Sequence, residues 1–322
     1  NASSIVARMC EAQYAWQGSK VKRYYYTFGW KGVVHIYTRY EEAKNLLQQL
    51  HQELEKFNNQ GIYPKITIVT YSHGGNVALN LAAIKDDDPE FLNDTLEIDR
   101  LIMFATPIQR ATDYLVASKM FKKVYHFYSY NDSIQTLDFT CPKQMFSKRI
   151  FKKRKHFTLP ESLIQIRMRT TKLLHSKYKQ CKKMKLDYTF LHDKRFRHVY
   201  HDPKHTEFWN FQWGSSTYRS IFTLAPLPVM IFYPTIIATL EQKVPEWREI
   251  IFDFAPSYEG AVIKNKKTKK TVVVKTVTKK QYESINEVAK QSGRSTIDIY
   301  EQKEHLRAAV KKAEEDYNQY HP

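Results

Sequence analysis

Between Lys65 and Ile84 an apolar, β-branched run, KITIVTY, ends in Ser72-His73-Gly74-Gly75 and passes at once into a second apolar run, NVALNLAAI. β-branched residues fit a pleated strand, whereas Ala and Leu are strong helix formers. The segment therefore predicts a strand, a tight turn and a helix with almost no chain between them. A strand handed to a helix this abruptly belongs to a sheet with crossover helices.

The flanking chain repeats that rhythm. Residues 21–27 (VKRYYYT) read as a strand by aromatic content, punctuated by Gly29 and Gly32. Residues 39–58 read as a helix: Ala43, Leu46, Leu47, Leu50, Leu54 and Phe57 share one face, and Glu41 and Glu42 lie on the other. Asn58, Asn59 and Gly61 stop it. After the helix over 76–84, the acidic stretch Asp86-Asp87-Asp88-Pro89 ends that element. Residues 99–105 predict the next strand, closed by Thr106-Pro107; 111–120 predict a helix, and 123–130 another strand, followed by Asn131-Asp132. The expected fold class is α/β, a mostly parallel sheet with flanking helices. In such sheets chemistry sits at the carboxyl ends of strands, where Ser72 and Asp132 both fall.

The chain has 322 residues, enough for two domains or one large α/β domain with additions. Its 18 Phe, 22 Tyr and 5 Trp supply ample core and exclude wholesale disorder. Cys10, Cys141 and Cys181 are too few and too far apart for a disulfide scaffold or a cysteine zinc site. The net charge is +18, of which 143–204 carry +15 and 258–280 carry +7, leaving a mildly acidic remainder. Residues 143–190 read as a basic insertion with some helix, and 195–200 as a return strand. The charge-free stretch 220–240 is long enough to cross a membrane, but Pro226, Pro228 and Pro234 favour a buried loop and helix, or an apolar lip over a site. Residues 261–277 predict a basic, solvated hairpin, and 281–291 and 296–319 predict helices. The expected division is thus 1–258, holding the α/β unit and its insertion, and an α+β C-terminal extension over 259–322.

A strand, a serine and a helix with glycines just after the serine form a nucleophile elbow, in which strained backbone projects the hydroxyl at the top of the sheet. The residues two before and two after must be small, because strand and helix cross closely there. Gly74 meets that demand, and Thr70 departs from it. The SHGGN run after an apolar strand resembles the α/β-hydrolase superfamily, and more narrowly its lipase-like branch with a His-Ser-His-Gly-Gly-Asn elbow; Tyr71 replaces the leading His. Phe28-Gly29-Trp30-Lys31-Gly32 with Arg39, Phe104-Ala105-Thr106-Pro107-Ile108, Tyr128 to Gln135 and Pro203-Lys204-His205-Thr206-Glu207 are similar to the branch's other segments. The likeness covers about 21–140 and 195–210, and is most specific at the elbow.

The resemblance implies an ester hydrolase with a triad in the chain order Ser72, Asp132, His205. Ser72 attacks an acyl carbonyl, His205 moves the proton, Asp132 holds the imidazole, and the His73 backbone N–H donates to the oxyanion. No metal or organic cofactor is then required. Asp138 is the rival acid and His201 the rival base; His192, His198, His201 and His205 together also raise a metal site, against which their placement across a predicted strand argues. The His-Gly loop that often gives the second oxyanion donor is missing before Val21. The expectation is that the first strands of the sheet precede Asn1, and a chain so shortened can lack the activity of its parent. The expected partner is an acyl ester or lipid, with an anionic membrane surface as a further candidate for the basic insertion. Nucleic acid is disfavoured for want of a recognisable module. The competing reading is a decayed hydrolase scaffold that binds anionic membrane or nucleic acid through that insertion.

Overall fold

The β-branched run before Ser72 forms strand β1 (Thr67–Tyr71), and β2 (Arg100–Phe104), β3 (Val124–Tyr128) and β4 (Leu163–Thr171) follow beside it, each parallel to the last. The computed structural model describes residues 2–30, 32, 35–91, 95–136, 147–171, 200–203, 205–208, 229–254 and 261–274. The short β5 (Tyr200–His201) pairs antiparallel with the end of β4. β6 (Glu249–Phe254) lies parallel on the other side of β4, and the antiparallel β7 (Ala261–Asn265) and β8 (Thr271–Val274) extend the sheet. The order across the sheet is β1-β2-β3-β4-β6-β7-β8.

Helices cover both faces. On one side α1 (Ala2–Trp16) and α4 (Tyr233–Lys243) pack over Ile102, Phe104, Tyr125, Phe127, Ile164 and Ile166. On the other, α2 (Ile36–Asn58) and α3 (Gly74–Asp87) pack over Leu101, Met103, Val124 and Leu163. The two sets alternate along each strand, as the pleat demands. Strands buried on both faces read as continuous apolar runs rather than alternating ones, which is why 99–105 and 123–130 were legible. α3 is buried from Gly75 to Ile84, wedged between α2 and the sheet. α2 buries Ala43 and Leu47 as expected, but also Glu42, which the helical spacing placed on the solvent face.

Several expectations are corrected. Residues 21–27 form no strand; Val21, Tyr24, Tyr25 and Tyr26 are exposed. Aromatic content makes a strand only where a ladder partner exists. Instead Tyr24 sets its ring edge-on to Phe57 at 5.0 Å, and Tyr25 donates its hydroxyl to Glu11 at 2.6 Å. Residues 111–120 form only a 3₁₀ turn over Asp113–Ala117. The expected insertion over 143–190 contains β4, a central strand between β3 and β6. The hairpin at 261–274 does form, yet it is not a solvated appendage. Ala261, Val262, Ile263 and Val274 are buried, and β7 bonds directly to β6, so a division at 258/259 falls between neighbours in one sheet.

The charge-free stretch turns inward. Met230, Phe232, Ile236, Ile237 and Leu240 are buried, and Pro234 sits at the start of α4, where proline is tolerated. Among the described residues no helix is long and apolar enough to cross a membrane. Residues 220–228 and the helices predicted at 281–291 and 296–319 lie outside the described residues.

Candidate active site

β1 delivers Ser72 at its carboxyl end with φ +52°, a left-handed conformation that costs any residue bearing a Cβ. The Ser72 N–H donates to the Phe104 carbonyl at 2.8 Å, which pins the turn to the end of β2. His73 already has helical dihedrals (φ −63°, ψ −16°), and α3 begins at Gly74. Ala105, just beyond β2, is also left-handed at φ +51°, so two strained residues adjoin the same rim.

The sequence places the close approach of strand and helix at Thr70 and Gly74, whereas the tightest contact in the structure lies between Gly75 and Thr106, beyond β2. A Cβ on Gly74 would meet Thr70 Cβ at 3.8 Å, an ordinary contact. A Cβ on Gly75 would lie 2.6 Å from Thr106 Cγ2 and 2.9 Å from Thr106 Cβ, with Thr106 Oγ1 closer still. Thr70 is therefore tolerated, and its hydroxyl donates to the Ile102 carbonyl at 3.1 Å. Among the described residues Thr106 Oγ1 is buried without a hydrogen-bond partner. Gly75→Ala is expected to destabilise the chain by about 2–3 kcal/mol through overpacking. Thr106→Ala should recover part of that loss in the double variant. Urea denaturation of the four proteins measures the coupling, and strictly additive changes would contradict the contact.

Asp132 follows β3 and is fully buried. Its Oδ1 accepts the Gln135 N–H at 3.1 Å, and its carbonyl accepts Arg149 Nε at 2.9 Å. Its Oδ2 lies 2.7 Å from His205 Nδ1, and His205 Nε2 lies 2.9 Å from Ser72 Oγ. An ionised carboxylate only accepts, so Nδ1 carries the proton and Nε2 turns its lone pair to the serine hydroxyl. Ser72, His205 and Asp132 thus stand in one hydrogen-bonded line at the carboxyl ends of β1 and β3.

The loop that presents His205 is held from three strands, through residues the sequence reading did not single out as functional. Arg167 of β4 donates twice to Asp202, at 2.7 and 2.9 Å, and lies 4.3 Å from the centre of the Tyr130 ring. The Tyr130 N–H donates to the same carboxylate at 3.1 Å, and the Ser129 hydroxyl donates to the Pro203 carbonyl. Tyr71, the departure from the lipase-like pattern, donates its hydroxyl to the His205 carbonyl at 2.9 Å and sets its ring 5.0 Å from the imidazole. Burial, and then the charge of Asp132, raise the Tyr71 phenol above its ordinary range, so it remains a donor at neutral pH. Phe208, at the end of the 3₁₀ turn that His205 opens, is buried in the core and anchors the far side. In the sequence only Asp202, three residues before His205, offers a signal for this support; its partner Arg167 lies in β4, within the stretch expected to be an insertion.

Asp138, His192 and His198 lie outside the described residues, as does the side chain of His201. Among the described residues no three His, Cys, Asp or Glu side chains gather in a group that could hold a metal. Cys10 is buried in the core, and burial pushes its thiol up to about 12, so it offers no competing nucleophile. Comparison with protein-family models, curated proteins and solved structures finds no match to this chain.

Proposed function

We propose that this chain is a serine ester hydrolase of the lipase or esterase kind, working through an acyl-enzyme on Ser72. The observation that carries this reading is the line from Ser72 Oγ through His205 to the buried Asp132, made by residues 133 and 73 positions apart. The left-handed serine between a buried strand and a helix supports it, as does the order Ser, Asp, His on a mostly parallel sheet. The same features support placing the chain with the α/β-hydrolases, in their lipase-like branch.

In this reading Ser72 Oγ attacks the acyl carbonyl while His205 Nε2 takes its proton. Asp132 stabilises the resulting imidazolium. The His73 N–H, at the positive end of α3, donates to the oxyanion. His205 then protonates the departing alcohol, and a water repeats the sequence to release the acid. The chemistry needs no metal or organic cofactor. The rival reading, a non-catalytic scaffold that binds anionic surfaces through 143–204, draws on that segment's charge. Four of its arginines are turned to partners inside the fold: Arg149 to Asp132, Arg154 to Asp113, Arg167 to Asp202 and Arg169 to Asp253.

The test is exposure to a fluorophosphonate, with peptide mapping by mass spectrometry, alongside hydrolysis of short and long acyl p-nitrophenyl esters. One adduct on the peptide holding Ser72, together with ester turnover, is the expected result. A folded chain that shows neither refutes the proposal.

A further inference from the structure

We propose that Arg39 is a positioning residue for the oxyanion, fixing the His73 peptide whose N–H faces the developing negative charge. The inference rests on the serine hydrolase reading and extends it beyond the triad. Arg39 stands in the first turn of α2 and is 1% exposed. Removing a guanidinium from water is costly, so a buried one persists where a defined partner holds it. Its Nη1 lies 2.9 Å from Nδ1 of His73. A guanidinium has donors only, so the ring nitrogen accepts, and His73 is neutral with its proton on Nε2.

His73 joins the strained Ser72 to α3, and its peptide is the point at which left-handed backbone gives way to helix. That peptide must hold one orientation for its N–H to meet the oxyanion. The bond to Arg39 ties the residue to α2, a helix of 23 residues, so the donor is braced by a rigid element and not by the turn alone. The positive charge of Arg39, held 2.9 Å from His73 Nδ1, also favours negative charge developing at that turn, at no reorganisation cost during reaction.

The experiment compares the parent chain with Arg39→Met and Arg39→Lys. Met fills most of the volume without the charge, and Lys keeps the charge without the planar fork. Three readouts are taken: p-nitrophenyl ester kinetics, fluorophosphonate labelling rate, and affinity for a boronic acid, which becomes tetrahedral and anionic when Ser72 Oγ adds to boron. In labelling, the Oγ–P bond forms, the P–F bond breaks, fluoride leaves, and His205 takes the hydroxyl proton. For Arg39→Met, kcat and labelling rate are expected to fall about 100-fold, with boronate affinity falling alongside and KM unchanged. Arg39→Lys should lose about tenfold in kcat. A folded Met variant that matches the parent on all three readouts, or one whose KM rises while kcat holds, overturns the proposal. If Arg39→Met does not fold, Arg39→Lys decides: a tenfold loss in kcat at constant KM supports the role, and parent-like kcat refutes it. A parent chain that neither labels nor cleaves ester removes the hydrolase reading, and this role with it.

Discussion

Ser72→Gly and Ser72→Ala are both expected to lower turnover of an activated ester about 10⁶-fold, yet to differ in stability in an unusual direction. At an ordinary helical or strand position glycine is the worse residue, by roughly 0.5–1 kcal/mol, because it loses more backbone freedom on folding. Ser72 has φ +52°, where a Cβ presses on the backbone at a cost of roughly 1–2 kcal/mol. Alanine keeps that strain and glycine removes it. Both lose the hydroxyl bonded to His205, so that term cancels between them. Ser72→Gly should therefore be more stable than Ser72→Ala by about 0.5–1 kcal/mol. Urea or thermal unfolding of the two inactive proteins checks this directly. An alanine variant equal to or more stable than the glycine variant would mean that Ser72 is not held left-handed, and the elbow geometry would fail with it.

What was legible in the sequence was what local chemistry dictates. The β-branched run, the serine and the Ala/Leu run declared β1, the turn and α3 without reference to the rest of the chain. Asp132 follows an apolar run and His205 a short return strand; the resemblance to the lipase-like branch implies their roles, and the structure brings both to Ser72. What failed depends on contacts between distant segments. Arg167 and Arg169 made 163–171 look like basic surface, although Ile164, Ile166 and Met168 alternate with them. Their carboxylates, Asp202 and Asp253, lie 35 and 84 residues further on. Five aromatic and β-branched residues at 21–27 suggest a strand, but among the described residues no ladder partner receives them. The demand for glycine at 75 comes from Thr106, across the strand–helix crossing. The bond between Arg39 and His73 spans 34 residues, and a lone arginine in an amphipathic helix gives no sign of it. The local rule marks the candidate nucleophile, and the contacts that hold its partners in place are non-local.

Asp132→Asn is expected to lower turnover about 10⁴-fold while leaving the chain folded. The reasoning turns on which end of the new amide faces the histidine. Asp132 Oδ1 accepts the Gln135 N–H at 3.1 Å, and Oδ2 faces His205 Nδ1 at 2.7 Å. In the asparagine variant the backbone N–H of Gln135 still needs an acceptor, so the amide oxygen stays on that side. The NH₂ group must then point at His205 Nδ1. Two donors cannot face each other, so Nδ1 gives up its proton and accepts, and Nε2 becomes the protonated nitrogen. A protonated Nε2 cannot take the proton of Ser72 Oγ, although every heavy atom has stayed in place. The buried negative charge that would stabilise the imidazolium is lost as well. The loss should appear in kcat and in the fluorophosphonate labelling rate alike, because both need the hydroxyl proton removed. Asp138→Asn, the same change at the rival acid, is expected to keep turnover within about twofold, because Asp132 already holds His205 Nδ1. Were Asp132→Asn to lose less than tenfold, or Asp138→Asn to lose more than Asp132→Asn, the orienting carboxylate would have to be sought elsewhere, and the line that carries the hydrolase reading would be broken at its buried end.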